Sequence, residues 1–239
     1  MNQQPVVVLV HGAFAESASW NGVIEELQSH AVRAVAVANP LRSIPGDAAY
    51  LRDVLATINE PVILVGHSYG GMVITEAAAD HDHVAALVYV CGFAPEHGES
   101  AFDLSGKFPG STLAQALDAY PVRTGGTEFV IRPDDFHHQF AADIPQDQAA
   151  VMSATQRPVT QVALTAELPT ETPAWKTIPS WFVFSDQDLN IPVTLHRFMA
   201  NRAGAKDVRE VPGASHALSV SQPEVVAASI LNAVHAVAS

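Results

Sequence analysis

Gly66-His67-Ser68-Tyr69-Gly70 sets one serine between two glycines, in the spacing G-x-S-x-G. A serine so placed is suited to attack a carbonyl carbon, provided a sharp turn presents its hydroxyl. Two glycines and a serine also coincide by chance, so the setting decides. An apolar run at 61–65 stands directly before the motif, and a helical pattern begins at Met72. Strand, turn and helix in that order form the elbow this chemistry needs, with the serine in a strained backbone conformation. The small neighbours let strand and helix approach closely. The amino end of the following helix favours negative charge developing there. The alternative is an ordinary glycine-rich strand-to-helix connection.

A serine hydroxyl is a poor nucleophile until a base takes its proton, and eleven histidines compete for that task. His11 and His67 belong to glycine motifs on early loops, and His81 and His83 flank a helix end. His196 and His235 fall inside expected helices and read as surface or packing residues. His216 stands in Pro212-Gly213-Ala214-Ser215-His216-Ala217, between the last expected strand and the last helix. Loops at strand carboxyl ends are where such sheets place ligands. The chain order serine, acid, histidine points to His216 as well.

The acid is expected after the strand at 181–185. Asp186 and Asp188 both stand there, in Ser185-Asp186-Gln187-Asp188-Leu189-Asn190-Ile191-Pro192. A small residue three before the acid and a proline four after it select Asp188, leaving Asp186 as a turn residue. A buried carboxylate bonded to His216 would fix its tautomer and stabilise the imidazolium. Donors aimed at the developing oxyanion are also required. The backbone N–H of Tyr69 supplies one, and that of Ala13, in His11-Gly12-Ala13-Phe14, supplies the other. Phe14 and Trp175 are the expected substrate-binding side chains. Plain packing is the competing role for Phe14, and anchoring the return strand beside Pro173 is the competing role for Trp175.

The elements that must hold these residues follow from short apolar runs alternating with helical patterns. Strands are expected at 6–10, 32–38, 61–65, 84–90, 181–185 and 208–211, and helices at 19–30, 47–59, from 72 to 79, 193–202 and 224–237. The strands are continuously apolar and β-branched, as in a parallel sheet buried on both faces. The fold class is therefore α/β, a mostly parallel doubly wound sheet. From residue 95 to 178 the rhythm breaks. That stretch is too long for a plain loop and reads as a largely helical cap insertion over one end of the sheet. The core is then 1–94 with 179–239.

Of 239 residues, 48% are hydrophobic and 15% charged, which suits one compact domain and excludes disorder. Twenty-five acidic against 12 basic residues give a net charge of -13. Such a surface disfavours nucleic acid and anionic membrane as partners. Cys91 is the single cysteine, so no internal disulfide forms, and its apolar run marks it as a buried structural thiol. Residues 1–4 carry no basic region, and the apolar stretch behind them is too short for a leader or a membrane span. A cytoplasmic location is the expectation. Oligomeric state is left open. His137-His138 with Asp134-Asp135 reads as polar surface, and no H-E-x-x-H pattern exists. Neither metal nor cofactor is expected.

Taken together these motifs resemble the α/β-hydrolase superfamily over nearly the whole chain apart from the insertion. His11-Gly12-Ala13-Phe14 with Ser19-Trp20, then Gly66-His67-Ser68-Tyr69-Gly70-Gly71-Met72, look like the plant methylesterase and hydroxynitrile lyase group and its bacterial relatives. Ser215-His216-Ala217 and Ser221-Gln222-Pro223-Glu224 are similar to that group too. The lyase branch typically has Thr where this chain has Gly12 and Lys where it has Ala217. Without that cation there is no acceptor for a leaving cyanide. Dehalogenases and epoxide hydrolases of the superfamily use Asp where this chain has Ser68. The resemblance implies a carboxylic-ester hydrolase working through an acyl-enzyme on small to medium esters, with Ser68, Asp188 and His216 as the triad. The alternatives are another reaction on the same triad (amide or carbon–carbon hydrolysis, lyase chemistry, cofactor-free oxygenation) and a non-catalytic ligand-binding protein on the same scaffold.

Overall fold

The computed structural model describes residues 4–238, so of the four terminal residues discussed above only Gln4 is among them. The core elements run β1 (Val6–Val10), α1 (Asn21–Ser29), β2 (Ala34–Val37), α2 (Ile44–Leu55), β3 (Val62–His67), α3 (Gly70–Ala77) and β4 (Val84–Val90). The middle segment holds α4 (Ala101–Gly106), α5 (Leu113–Ala116), β5 (Leu117–Pro121), β6 (Thr127–Ile131), α6 (Pro133–Phe140), α7 (Gln146–Thr155), β7 (Val159–Thr160) and α8 (Gln161–Thr165). The chain closes with β8 (Ser180–Ser185), α9 (Val193–Arg202), β9 (Asp207–Val211), α10 (Leu218–Ser221) and α11 (Pro223–Ala238).

Six strands form one sheet in the order β2-β1-β3-β4-β8-β9, and every pairing in it is parallel. The continuous apolar runs have their cause here. Every residue of β1, β3 and β8 is buried, because helices cover both faces. α11 lies against β4 and β8 and packs on α1, while α3 lies on β3 and packs on α2. No described helix is long and apolar enough to cross a membrane.

Several boundaries differ from the expected ones, and two of the shifts have clear local reasons. α2 begins at Ile44, ahead of the expected 47, because Ser43 accepts from Gly46 N at 3.2 Å as an N-cap and Pro45 fits the first turn. β3 runs past its apolar residues, since Gly66 and His67 still pair with Tyr89 and Val90. The middle segment carries the expected helices, together with a three-stranded antiparallel sheet, β5-β6-β7, that the apolar pattern did not reveal. β5 reads LDAYP and is mostly exposed, and β7 is two residues long, so neither leaves an apolar signature. This small sheet is tied to the core after β2. Thr160 donates to Leu41 O and Arg42 O, and the Arg42 guanidinium reaches Glu128 and Pro158 O.

Candidate active site

The site forms on the turns and loops that follow β1, β3, β8 and β9. Ser68 sits between β3 and α3 with φ of +53°, in the left-handed region that L-residues rarely enter. That turn is held from several sides. Ser68 N donates to Val90 O at 3.3 Å, and Ser68 O accepts from Gly71 N and Phe93 N. Glycine is required beside it. A Cβ on Gly70 would come within 2.4 Å of Val10 O, and one on Gly66 within 2.7 Å of the Gly70 backbone. The spacing G-x-S-x-G is thus the condition for strand, helix and β1 to meet at one point.

His216 is buried on the loop before α10. Its Nδ1 donates to Asp188 Oδ2 at 2.7 Å, which fixes the proton on that nitrogen. Its Nε2 is buried and has no hydrogen-bond partner among the described residues. The loop is drawn to the elbow by the residue before the serine. His67 donates from Nε2 to His216 O at 3.0 Å, and the two rings lie 4.8 Å apart. Phe140, at the end of α6, meets the His216 ring edge-on at 5.0 Å and takes Ala217 N and Ser215 Oγ on its carbonyl. The end of α6 thus packs against the loop that carries His216.

Asp188 is fully enclosed at the turn after β8. Its four donors are His216 Nδ1 and His196 Nε2 on Oδ2, and Asn190 N and Ile191 N on Oδ1. Burial alone would raise this carboxyl. The facing His216 and the His196 and His216 hydrogen bonds outweigh it and hold the group well below the ordinary carboxylate range. Asp186 has the other fate. It is half-buried, and its Oδ1 accepts from Gly213 N at 2.7 Å, bracing the loop that leads to His216. Gln139 of α6 donates to Leu189 O and Asn190 Oδ1, which ties the middle segment to the Asp188 turn.

The early loop supplies the remaining wall. Ala13 and Tyr69 are buried, and neither amide donates to another backbone group in the turns and loops of the described residues. Gly12 lies against the serine, with a Cβ there 2.6 Å from Ser68 Cβ. His11 keeps this loop in place. Its Nδ1 donates to Gly12 O and its Nε2 accepts from Asn39 N. Tyr69 points its ring away, donating its hydroxyl to Asp47 Oδ2 at 2.9 Å. Phe14 is buried with φ of +60° and is held through its N–H by Arg157 O.

For two side chains the structure shows contacts that bear on the alternatives left open by the sequence. Trp175 donates its indole N–H to Pro95 O and faces Lys176 and Arg202, the contacts expected of a side chain that anchors the return into β8. His196, read as a surface or packing residue, is fully buried on Asp188. No spacing rule could have found it, because its partner lies eight residues earlier across a turn whose shape the sequence does not declare. Cys91 is the buried thiol expected. Ser185 gives its own proton to Ser215 O, so the thiol donates to Ser185 Oγ. Burial raises its proton affinity. Cys91, Asp188 and His196 bring three possible ligand atoms within 4.8 Å of one another. Asp188 Oδ2 already accepts from His196 and His216, and the Cys91 thiol is paired with Ser185 Oγ.

The profile of the Alpha/beta hydrolase family matches residues 7–229. The Alpha/beta hydrolase nvfD of Aspergillus novofumigatus is 29% identical, with 96% of each chain covered. The pyrethroid hydrolase of Sphingobium wenxiniae is 29% identical over 94% of this chain and 85% of its own length. A solved structure of polyneuridine aldehyde esterase superposes with a TM-score of 0.82 at 22% identity, covering 96% of this chain and 99% of that one. With its parallel sheet, its serine elbow and a family match over almost its whole length, the chain belongs to the alpha/beta hydrolase family.

Proposed function

We propose that this protein hydrolyses small to medium uncharged carboxylic esters through an acyl-enzyme on Ser68. The carrying observation is the bond from His216 Nδ1 to Asp188 Oδ2, which leaves the His216 Nε2 lone pair unused. A buried imidazole in that tautomer is a base awaiting a proton. His216 Nε2 takes the proton of Ser68 Oγ as the oxygen attacks the ester carbon. The oxyanion is received by the N–H groups of Ala13 and Tyr69, neither of which donates to a backbone acceptor in the turns and loops of the described residues. His216 then passes its proton to the leaving alcohol. It next activates water, which releases the acid and restores the serine. Asp188 stays ionised throughout and stabilises the imidazolium.

Ester hydrolysis is favoured over lyase chemistry by Ala217, which is buried beside His216 and offers no cation. Curated relatives named pyrethroid hydrolase and polyneuridine aldehyde esterase support an ester as the substrate class. The net charge of -13 disfavours anionic esters at long range. The test is labelling with a fluorophosphonate followed by peptide mapping. One equivalent should attach at Ser68, and Ser68→Ala should lose label and esterase activity together. A label on any other residue, or an active Ser68→Ala, would overturn the assignment.

A further inference from the structure

We infer that His196 is a positioning residue of the site: as a neutral Nε2–H donor, it holds the Asp188 carboxylate ionised and in place for His216. This rests on the triad reading above and adds a member to it.

The geometry allows one protonation state. His196 Nε2 lies 3.2 Å from Asp188 Oδ2, on a carboxylate that only accepts, so Nε2 carries a proton. Nδ1 is buried with no partner among the described residues. A proton there would be a buried donor without an acceptor, so the ring is neutral. Burial lowers the affinity of His196 for a second proton, against the pull of Asp188. The charged and titratable groups facing it are Asp188 on its own turn, His216 on the loop after β9 and Glu210 on β9. His67 and Cys91 complete the set around Asp188.

The ring is also rigid. His196 sits in the first turns of α9 and stacks on Phe184 of β8, with centroids 5.0 Å apart and planes at 11°. Asp188 Oδ2 is thus gripped from two sides, by a fixed ring and by the ring that works. Without His196 that oxygen would depend on the loop histidine alone. The carboxylate would gain proton affinity and lose its hold on the His216 tautomer. A packing role predicts something different, namely that an aromatic ring at this position suffices.

Two variants separate these roles. His196→Phe keeps a ring for Phe184 and deletes the donor. His196→Gln keeps an N–H at similar reach and deletes the ring. Steady-state kinetics on p-nitrophenyl acetate should show kcat of His196→Phe lower by about tenfold or more, the scale of a lost hydrogen bond to a charged group, with KM unchanged. His196→Gln should stay within about threefold of the parent, as expected when one neutral donor replaces another. An active Phe variant, or a Gln variant as impaired as Phe, overturns the inference. Should the Phe variant fail to fold, nitrogen-15 NMR of the parent protein decides. An Nε2–H tautomer at His196 supports the inference, and an Nδ1–H or doubly protonated ring overturns it. Ser68→Ala and Asp188→Asn are assayed alongside. If those two retain activity, the triad reading falls and this inference with it. If they are inactive while His196→Phe is not, only the inference falls.

Discussion

Acid should weaken this fold well before its carboxylates titrate, because the site is built on buried neutral imidazoles. His11 is pushed down to about 4, chiefly by burial, from an ordinary value of 6.5. His67 is pushed down to about 3 by burial and the facing His216. In both cases the folded state binds a proton less readily than the unfolded chain. Stability is therefore complete above about pH 6.5 and falls as pH drops toward 4 and 3, the unfolded state taking up protons that the native state refuses. At pH 5 both folded values lie below the working pH, so the cost depends only on the gap of about 1.5 units from 6.5. At about 1.4 kcal/mol per unit this is about 2 kcal/mol for each histidine, or about 4 kcal/mol together. His196 acts in the same direction.

Other groups bear on the same balance. Asp188 and Glu99, with folded values held low, lose their contribution only below about pH 4.5, outside this window. Asp47, raised by burial, works the other way as a single group. Relief of the -13 net charge also favours compactness on acidification, but near-physiological salt screens it beyond about 8 Å. Urea unfolding followed by tryptophan fluorescence at pH 7 and pH 5 reads the balance. A loss of about 4 kcal/mol moves the midpoint down by about 1 M or more. An equal or higher midpoint at pH 5 would refute the claim that these rings are buried uncharged.

Asp188→Asn should cost about four orders of magnitude in kcat with the fold intact, because an amide presents the wrong group to His216 Nδ1; Asp186→Asn should be mild, since an amide oxygen still accepts from Gly213 N, and the reverse outcome in a paired assay would exchange their roles. Gly70→Ala should destabilise by about 1–3 kcal/mol and lower activity with it, because its Cβ would meet Val10 O at 2.4 Å; an unchanged melting temperature would show that β1 and the elbow can separate freely. Across p-nitrophenyl esters from acetyl to palmitoyl, kcat/KM should peak at short chains, since Ser68 is only 8% exposed; a maximum at the long end with activation at an oil–water interface would show a mobile lid over the site.

What the sequence disclosed depended on whether the physical cause was local. Val6–Val10 and Val84–Val90 stand where their apolar runs predicted, because a strand buried on both faces has no other composition available. The elbow was legible for a related reason, as close approach of three backbones tolerates only glycine. β5 and β7 were not legible. They are held by pairing with β6 and, for β7, by the bonds of Thr160 to Leu41 O and Arg42 O in the core, none of which requires an apolar run. Trp175 was ambiguous for the same reason. A large aromatic side chain announces burial, and only the fold says against what.

His196 marks the limit of reading a site from spacing, and the unused ring nitrogens around Asp188 show why. Buried polar atoms in a folded chain are normally satisfied, yet His67 Nδ1, His196 Nδ1 and His216 Nε2 are all buried without partners among the described residues. The first two have a common cause. Each ring commits its proton to one oxygen, His216 O or Asp188 Oδ2, and the opposite nitrogen is left an empty acceptor. An unfilled acceptor lone pair costs less than a buried donor or a buried charge, so this is the cheapest way to aim two N–H groups inside an apolar shell. The third nitrogen differs in its surroundings. Its ring is held by Asp188 behind and Phe140 at the edge, and its carbonyl is bonded to the residue preceding Ser68. Two imidazoles therefore act as neutral donors to a carboxylate and a loop, and in the function proposed above the third keeps its lone pair for a proton. The assignment of roles among the three follows from what each opposite nitrogen already holds, a property of the fold that no pattern of residue types along the chain encodes.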